Sequence, residues 1–282
     1  MSVFAGYDQE QLDALYDVRR RVPHWQTFTD RFERRSAAVR ERMPDMLDLA
    51  YGPHPRERLD LFAPAGVASP PVNLFFHGGY WRSGEKERYS YIAEGLLPAG
   101  AAAAIVEYAL APEVDMDELV RQCRAAVSWI AGHAGELGID GERIHVSGHS
   151  AGGHIVGMLM ADGWEGAGIV KGGCALSGLY ELEPIRLTFL NQTLALDPSL
   201  ALRNSPALLS PATTAPLLLG VGGEEGAEFL RQQTAMTERW EADGVPVSPT
   251  VVAGGNHYTV VESLGDPADD LTQAVHRQMG LV

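Results

Sequence analysis

Apolar residues recur along this chain in two rhythms. From Val72 onward, short and nearly continuous apolar runs at 72–76, 102–107, 143–147, 169–176, 216–221 and 247–252 are separated by stretches with helical spacing, notably 117–131, 151–161, 228–243 and 267–279. Unbroken apolar runs of this length are the pattern of parallel strands covered on both faces, and their alternation with helices predicts a doubly wound α/β sheet. Before them, 45–51 and 57–62 alternate apolar with polar residues around Gly52, Pro53 and Pro55, which predicts an antiparallel hairpin at the start of the sheet. Residues 1–44 form an appendage. Within it Leu12, Leu15, Val18, Phe28, Phe32 and Val39 fall at helix-like spacing among many arginines, ending before Pro44. The segment 178–215, with Pro184, Pro198, Pro206 and Pro211, is long for a bare crossover and predicts a small helical cap roofing a site.

At 282 residues and 45% hydrophobic composition the chain has material for one sizeable core, so a single domain over 1–282 is expected. Lys and Arg number 22 against 37 Asp and Glu, and the net charge of −15 repels phosphate backbones. Nucleic acid is therefore not an expected partner. The first residues carry neither a basic nor an apolar targeting region, and no run approaches the ~18 apolar residues of a membrane span, so a cytoplasmic protein with no membrane partner is expected. Cys123 and Cys174 make no disulfide framework, and neither HExxH nor a cluster at ligand spacing suggests a metal or cofactor. A homo-oligomer stays open.

Candidate chemistry begins at Gly148-His149-Ser150-Ala151-Gly152, a GxSxG sequence between a predicted strand and a predicted helix. In that context the motif reads as a nucleophile elbow, where small residues two before and two after the serine let strand and helix approach. A plain Gly/Ser turn is the alternative, and a phosphate loop fails on spacing. His77-Gly78-Gly79-Tyr80-Trp81 follows the run 72–76, and the amides of Gly79 and Tyr80, with that of Ala151, are the candidate oxyanion donors. A serine hydroxyl needs a base, and among nine histidines His257, in a glycine-rich turn after the last run, is placed to serve Ser150. The acid should lie between them in sequence. Glu225 is placed ahead of Glu224 after the run 216–221, with Asp243 and Asp266 as outside candidates.

These residues resemble the arylformamidase, or kynurenine formamidase, branch of the α/β-hydrolases, related to the hormone-sensitive-lipase-like esterases. The resemblance rests on HGGYW at 77–81, where lipase-like esterases tend to carry a third glycine in place of Tyr80, and on the segment 51–64. It extends through GHSAGG at 148–153, Glu228 to Gln232, Asn256-His257-Tyr258, Val261 and Glu262. Aligning Glu228 to Gln232 puts the family's acid at Glu225, although the family usually has Asp there. What the resemblance implies is an α/β-hydrolase fold and hydrolysis of N-formylkynurenine to kynurenine and formate through an acyl-enzyme. Trp81, Tyr258 and Arg82 are candidate contacts for that small-molecule substrate, with Tyr80 a further aromatic candidate and Arg88 a second donor to a substrate carboxylate. A carboxylesterase for short acyl esters would use the same residues. A noncatalytic binding protein on this fold is the alternative of another class.

Overall fold

The computed structural model describes residues 2–282. Among them the apolar runs become an eight-stranded sheet in the order β1-β2-β4-β3-β5-β6-β7-β8. The strands are β1 (Leu49–Ala50), β2 (Arg58–Phe62), β3 (Val72–Phe76), β4 (Ala102–Val106), β5 (Ile144–His149), β6 (Val170–Leu176), β7 (Leu217–Gly222) and β8 (Val247–Val252). β1 and β2 pair antiparallel, β2 joins β4 antiparallel, and the remaining pairs are parallel.

The unbroken apolar runs follow from burial on both faces. Successive side chains of a strand point to opposite sides. Leu74 and Phe76 of β3 and Ala104 and Val106 of β4 therefore enter one core, and Phe75 and Ile105 enter the other. The first core is closed by Val127 and Ile130 of a long helix (Met116–Leu137), by Ile155 of the helix after β5 (Ala151–Met160) and by Trp240 of the helix Ala227–Ala242. The second is closed by the N-terminal segment and by Val275 of the helix Asp270–Gln278.

One local expectation gains detail and two change. The N-terminal segment is broken into α1 (Gln9–Tyr16), α2 (Val18–Arg21) and α3 (Trp25–Arg42), because the Asp17 side chain caps α2 at its Arg20 amide and Pro23 precedes α3. The first arm of the hairpin shrinks to Leu49–Ala50, since Asp48 turns into a left-handed conformation (φ 57°) and gives its amide to the Asp60 carboxylate. β8 is an edge strand with mostly exposed side chains. It tolerates Pro249 there because an edge strand leaves half its amides without a ladder partner.

Buried charge ties the N-terminal segment to the sheet. Asp60 of β2 is fully buried and accepts from Lys86 Nζ at 2.8 Å and from Arg40 of α3. Phe32 of α3 stacks on Tyr91 at 4.9 Å, and Arg31 pairs with Glu262. Chain order reverses across β3: β4 lies on one side of it and β5 on the other, so the crevice beyond the carboxyl ends of β3 and β5 is the switch point where α/β sheets take ligands.

Phe32 is 1% exposed, and Phe32→Ala is expected to destabilise the protein by about 3–5 kcal/mol through the cavity left between α3 and the sheet. A lower urea midpoint at unchanged slope would show it.

Candidate active site

Backbone packing builds the site first. Ser150 has φ 57° and ψ −117°, a conformation that costs a non-glycine residue about 1–3 kcal/mol, and it stands between the end of β5 and the helix Ala151–Met160. The glycines around it leave no room for a side chain. A Cβ on Gly152 would lie 1.9 Å from the Phe76 carbonyl oxygen, and one on Gly148 would lie 2.2 Å from the oxygen of Gly152. Gly78 is less tightly held, but a Cβ there would still lie 2.9 Å from the His149 carbonyl oxygen and 3.0 Å from the Ser150 Cβ. The elbow and the loop after β3 are thus packed backbone on backbone.

That loop runs through three consecutive positive φ values, 121° at Gly79, 51° at Tyr80 and 55° at Trp81. Strain at two aromatic residues persists only where the surroundings hold it. The Gly79 carbonyl accepts from the Arg82 and Ser83 amides, Tyr80 Oη donates to the Tyr16 carbonyl at 2.6 Å, and Trp81 Nε1 donates to His154 Nδ1 at 3.2 Å. The amides of Gly79 and Tyr80 find no protein acceptor among the described residues. Ala151 is the first residue of its helix, so its amide lacks an intrahelical acceptor.

Beneath the loop, His77 Nε2 meets Glu107 Oε1 at 2.9 Å, and the same carboxylate accepts from Arg56 at 2.6 Å and from the Lys86 amide at 3.0 Å. Burial opposes the charge on Glu107, but His77 and then Arg56 outweigh it and hold the carboxyl below its ordinary range.

On the other side, Glu225 follows β7 and its side chain folds back over its own turn. Oε1 accepts from the Gly222 amide at 2.7 Å and from Ser177 Oγ at 2.5 Å, while Oε2 accepts from His257 Nδ1 at 2.6 Å. The extra methylene of Glu relative to Asp is taken up by this fold-back. Glu224 is exposed, and its amide donates to the Gly255 carbonyl at 2.9 Å, which joins the loop of Glu225 to the loop of His257. Asp243 pairs with Arg239, and Asp266 lies exposed beyond the short helix Thr259–Glu262. An ionised carboxylate only accepts, so His257 Nδ1 carries the proton and Nε2 is left with a lone pair.

Ser150 and His257 open on one cavity of about 690 Å³. Its wall includes Tyr16, Asp17, Arg19, Trp25 and Thr29, so the N-terminal segment covers this chain's own site, and Phe189, Leu190 and Thr193 of the segment 178–215 roof it. Among the predicted contacts, Tyr258 lines the cavity and stacks on Phe28 at 5.7 Å, and Tyr80 and Arg82 also line it. Trp81 does not. It is fully buried against His154, edge to face at 4.9 Å, so the expectation that it touches substrate is corrected to packing beneath the loop. Arg88 is spent on Glu33 and Glu85. Arg19, Ser177 and Glu107 were not singled out from sequence; Arg19 was one of many arginines, and nothing local marks the other two.

Residues 59–164 match the family model described as BD-FAE. The chain is 30% identical over 245 residues to the kynurenine formamidase of Danio rerio, covering 83% of this chain and 82% of that protein. The chain belongs to the kynurenine formamidase family. The corresponding Salmo salar enzyme is 29% identical over the same shares. A crystal structure of a Silicibacter sp. TM1040 protein, provisionally described as a thioesterase, superposes with a TM-score of 0.84 at 31% identity, covering 93% of this chain and 98% of that one. The carboxylesterase EstE1, from a metagenomic library, shares the fold at a TM-score of 0.67 and 22% identity, over 79% of this chain and 84% of its own. This kynurenine formamidase relative is thus an α/β-hydrolase related to the esterases, and a hydrolase by family. Among the described residues no helix is long and apolar enough to cross a membrane.

Because the Glu107 pKa is depressed in the folded state, its contribution to stability is fully present above the unfolded carboxylate pKa and is lost as pH falls through the lower folded value. Glu107→Gln is expected to cost roughly 1–3 kcal/mol at neutral pH, with the gap to wild type closing in that acid window. Urea midpoints of both proteins across pH test this.

Proposed function

We propose that the protein is a serine-dependent arylformamidase acting on N-formylkynurenine-like substrates. The reading rests above all on the bond from His257 Nδ1 to the Glu225 carboxylate at 2.6 Å, in a cavity that Ser150 shares, within a family whose relatives are kynurenine formamidases. Ser150 Oγ attacks the formyl carbon while His257 Nε2 takes its proton, and Glu225 holds the tautomer and stabilises the imidazolium. The charge that develops on the formyl oxygen falls to the amides of Gly79, Tyr80 and Ala151. Among the described residues two of these have no protein acceptor, and the third is a helix N-terminal amide. His257 then protonates the departing aryl amine. Water enters by the same base and releases formate from Ser150.

Two cations suit an anionic amino acid. Arg19 and Arg82 line the cavity, and their guanidinium groups lie over aromatic faces, at 4.4 Å from Trp25 and 5.8 Å from Phe189; Arg82 Nη1 also donates to Thr193 Oγ1 at 3.5 Å, and a guanidinium with five N–H donors keeps others for a substrate carboxylate. A cytoplasmic setting accords with two buried, unpaired cysteines.

The deciding assay is kcat/KM for N-formyl-L-kynurenine beside p-nitrophenyl acetate and butyrate. A formamide value near or above ~10⁴ M⁻¹s⁻¹ is expected. Ser150→Ala should lower kcat by ~10⁴-fold or more and abolish labelling by a fluorophosphonate. Ester turnover with negligible formamide turnover would instead make the protein a carboxylesterase, and a folded wild type that does not label would make it a noncatalytic binder.

The double substitution Arg19→Gln, Arg82→Gln is expected to raise KM for N-formyl-L-kynurenine about tenfold with little change in kcat, and to leave the neutral formanilide unaffected. Equal effects on the two substrates would remove the carboxylate clamp.

A further inference from the structure

Tyr16, the last residue of α1, is fully buried and bonds to two parts of the candidate site. Its main-chain carbonyl accepts from Tyr80 Oη at 2.6 Å. Its own hydroxyl donates to Glu228 Oε2 at 2.8 Å and accepts from Gln232 Nε2 at 3.0 Å. Both partners are held in turn: Glu228 pairs with Arg231 at 2.9 Å, and Gln232 Oε1 accepts from the Glu181 amide at 2.7 Å. The Tyr16 ring packs on Phe229 with centroids 6.1 Å apart, and Phe229 packs on His257 at 4.9 Å. One residue earlier, the Leu15 carbonyl oxygen would lie only 3.1 Å from a Cβ on Gly226, the residue after Glu225. The end of α1 is thus seated on the start of the helix Ala227–Ala242, and from that seat it holds Tyr80.

Tyr80 is a residue that needs holding. Its φ of 51° costs a non-glycine residue about 1–3 kcal/mol and persists only where the surroundings oppose relaxation to negative φ. Such a relaxation would turn the Tyr80 amide, which has no protein acceptor among the described residues. A tyrosine side chain has only two torsions, so fixing its hydroxyl fixes the direction of its Cα–Cβ bond and, through it, the backbone. The flanking residues are anchored separately, Gly79 at its carbonyl and Trp81 at its indole, whereas the Tyr80 side chain is anchored on the Tyr16 carbonyl. Burial, and then the Glu225 carboxylate, push the Tyr80 pKa well above its ordinary value, so the hydroxyl keeps the proton it donates.

We propose that Tyr80 is a positioning residue whose hydroxyl, held by the Tyr16 carbonyl, keeps the Tyr80 amide aimed at the developing oxyanion. The N-terminal segment then supports the chemical step as well as covering the cavity. This role rests on the serine mechanism proposed above, with the loop amides as donors. The hydroxyl itself touches no reacting atom.

The test compares wild type, Tyr80→Phe, Tyr16→Phe and the double variant in kcat and KM for N-formyl-L-kynurenine and p-nitrophenyl acetate. A misaimed donor lowers kcat and spares KM, because the charge it serves exists only in the transition state. Tyr80→Phe is expected to lower kcat about 10–100-fold on both substrates with KM changed less than about twofold. Tyr16→Phe loosens the seat of the carbonyl without removing it and should lower kcat about 3–10-fold; combined with Tyr80→Phe it should add nothing, because both act through one contact. Should Tyr80→Phe not fold, Tyr16→Phe alone carries the test. An unchanged kcat in the folded variant overturns the proposal even if its unfolding temperature drops. So does a loss carried by KM, a loss confined to one substrate, or losses that multiply in the double variant. A wild type that turns over neither substrate and takes no fluorophosphonate overturns the serine mechanism itself, an outcome visible before any variant is made.

Discussion

The contact on which the site depends is the seating of Gly152 against the carbonyl of Phe76, with Gly148 against Gly152 one turn away. It locks the start of the helix Ala151–Met160 onto the end of β3. Ser150 is thereby forced into its left-handed conformation, and the loop that begins at His77 starts from the same backbone contact. Ser150 and the loop are set against each other by main-chain packing, which has little freedom to drift. The strain at Ser150, Tyr80 and Trp81 is the cost of that arrangement, and it is offset by the two cores that hold β3 and β5 from both faces.

Around this frame the protein separates its charges by task. Glu107 gathers His77, Arg56 and a backbone amide beneath the loop, and Asp60 gathers Lys86 and Arg40 beneath the N-terminal segment. Both are buried carboxylates satisfied on several sides, the condition under which a buried charge is tolerated. Glu225 differs in that one of its oxygens is reserved for a histidine facing the cavity. In a chain of net charge −15, Arg19 and Arg82 line the cavity with their guanidinium groups over the rings of Trp25 and Phe189.

Much of this was legible in the sequence because it depends on local spacing. The six apolar runs from 72 to 252 all carry strands: five are largely buried, and a strand buried on both faces admits few polar residues at any position, while the sixth is the exposed edge strand β8. GxSxG between a strand and a helix, HGG after a strand and a histidine after the last strand are likewise short-range patterns, and the structure brings Ser150, Gly79, Tyr80 and His257 to one cavity. Turns were less legible: the helix-like spacing before Pro44 does not reveal that the appendage divides into three helices, and the hairpin's first arm shortened at Asp48 because a distant carboxylate, Asp60, captured its amide.

What the tertiary structure alone decided is which side chains meet across long stretches of chain. Ser177 reaches Glu225 across 48 residues, Tyr80 reaches Tyr16 across 64, and Arg19 enters a cavity whose base lies at His257. Trp81, two residues after Gly79 in sequence, turns away from the cavity, while His149, which sequence offers only as the variable letter of a motif, is among the residues that line it. Periodicity and motif spacing specify backbone elements because those depend on neighbours a few residues away. The direction of a buried side chain, and the partner it finds there, depend on packing between elements that no local pattern encodes.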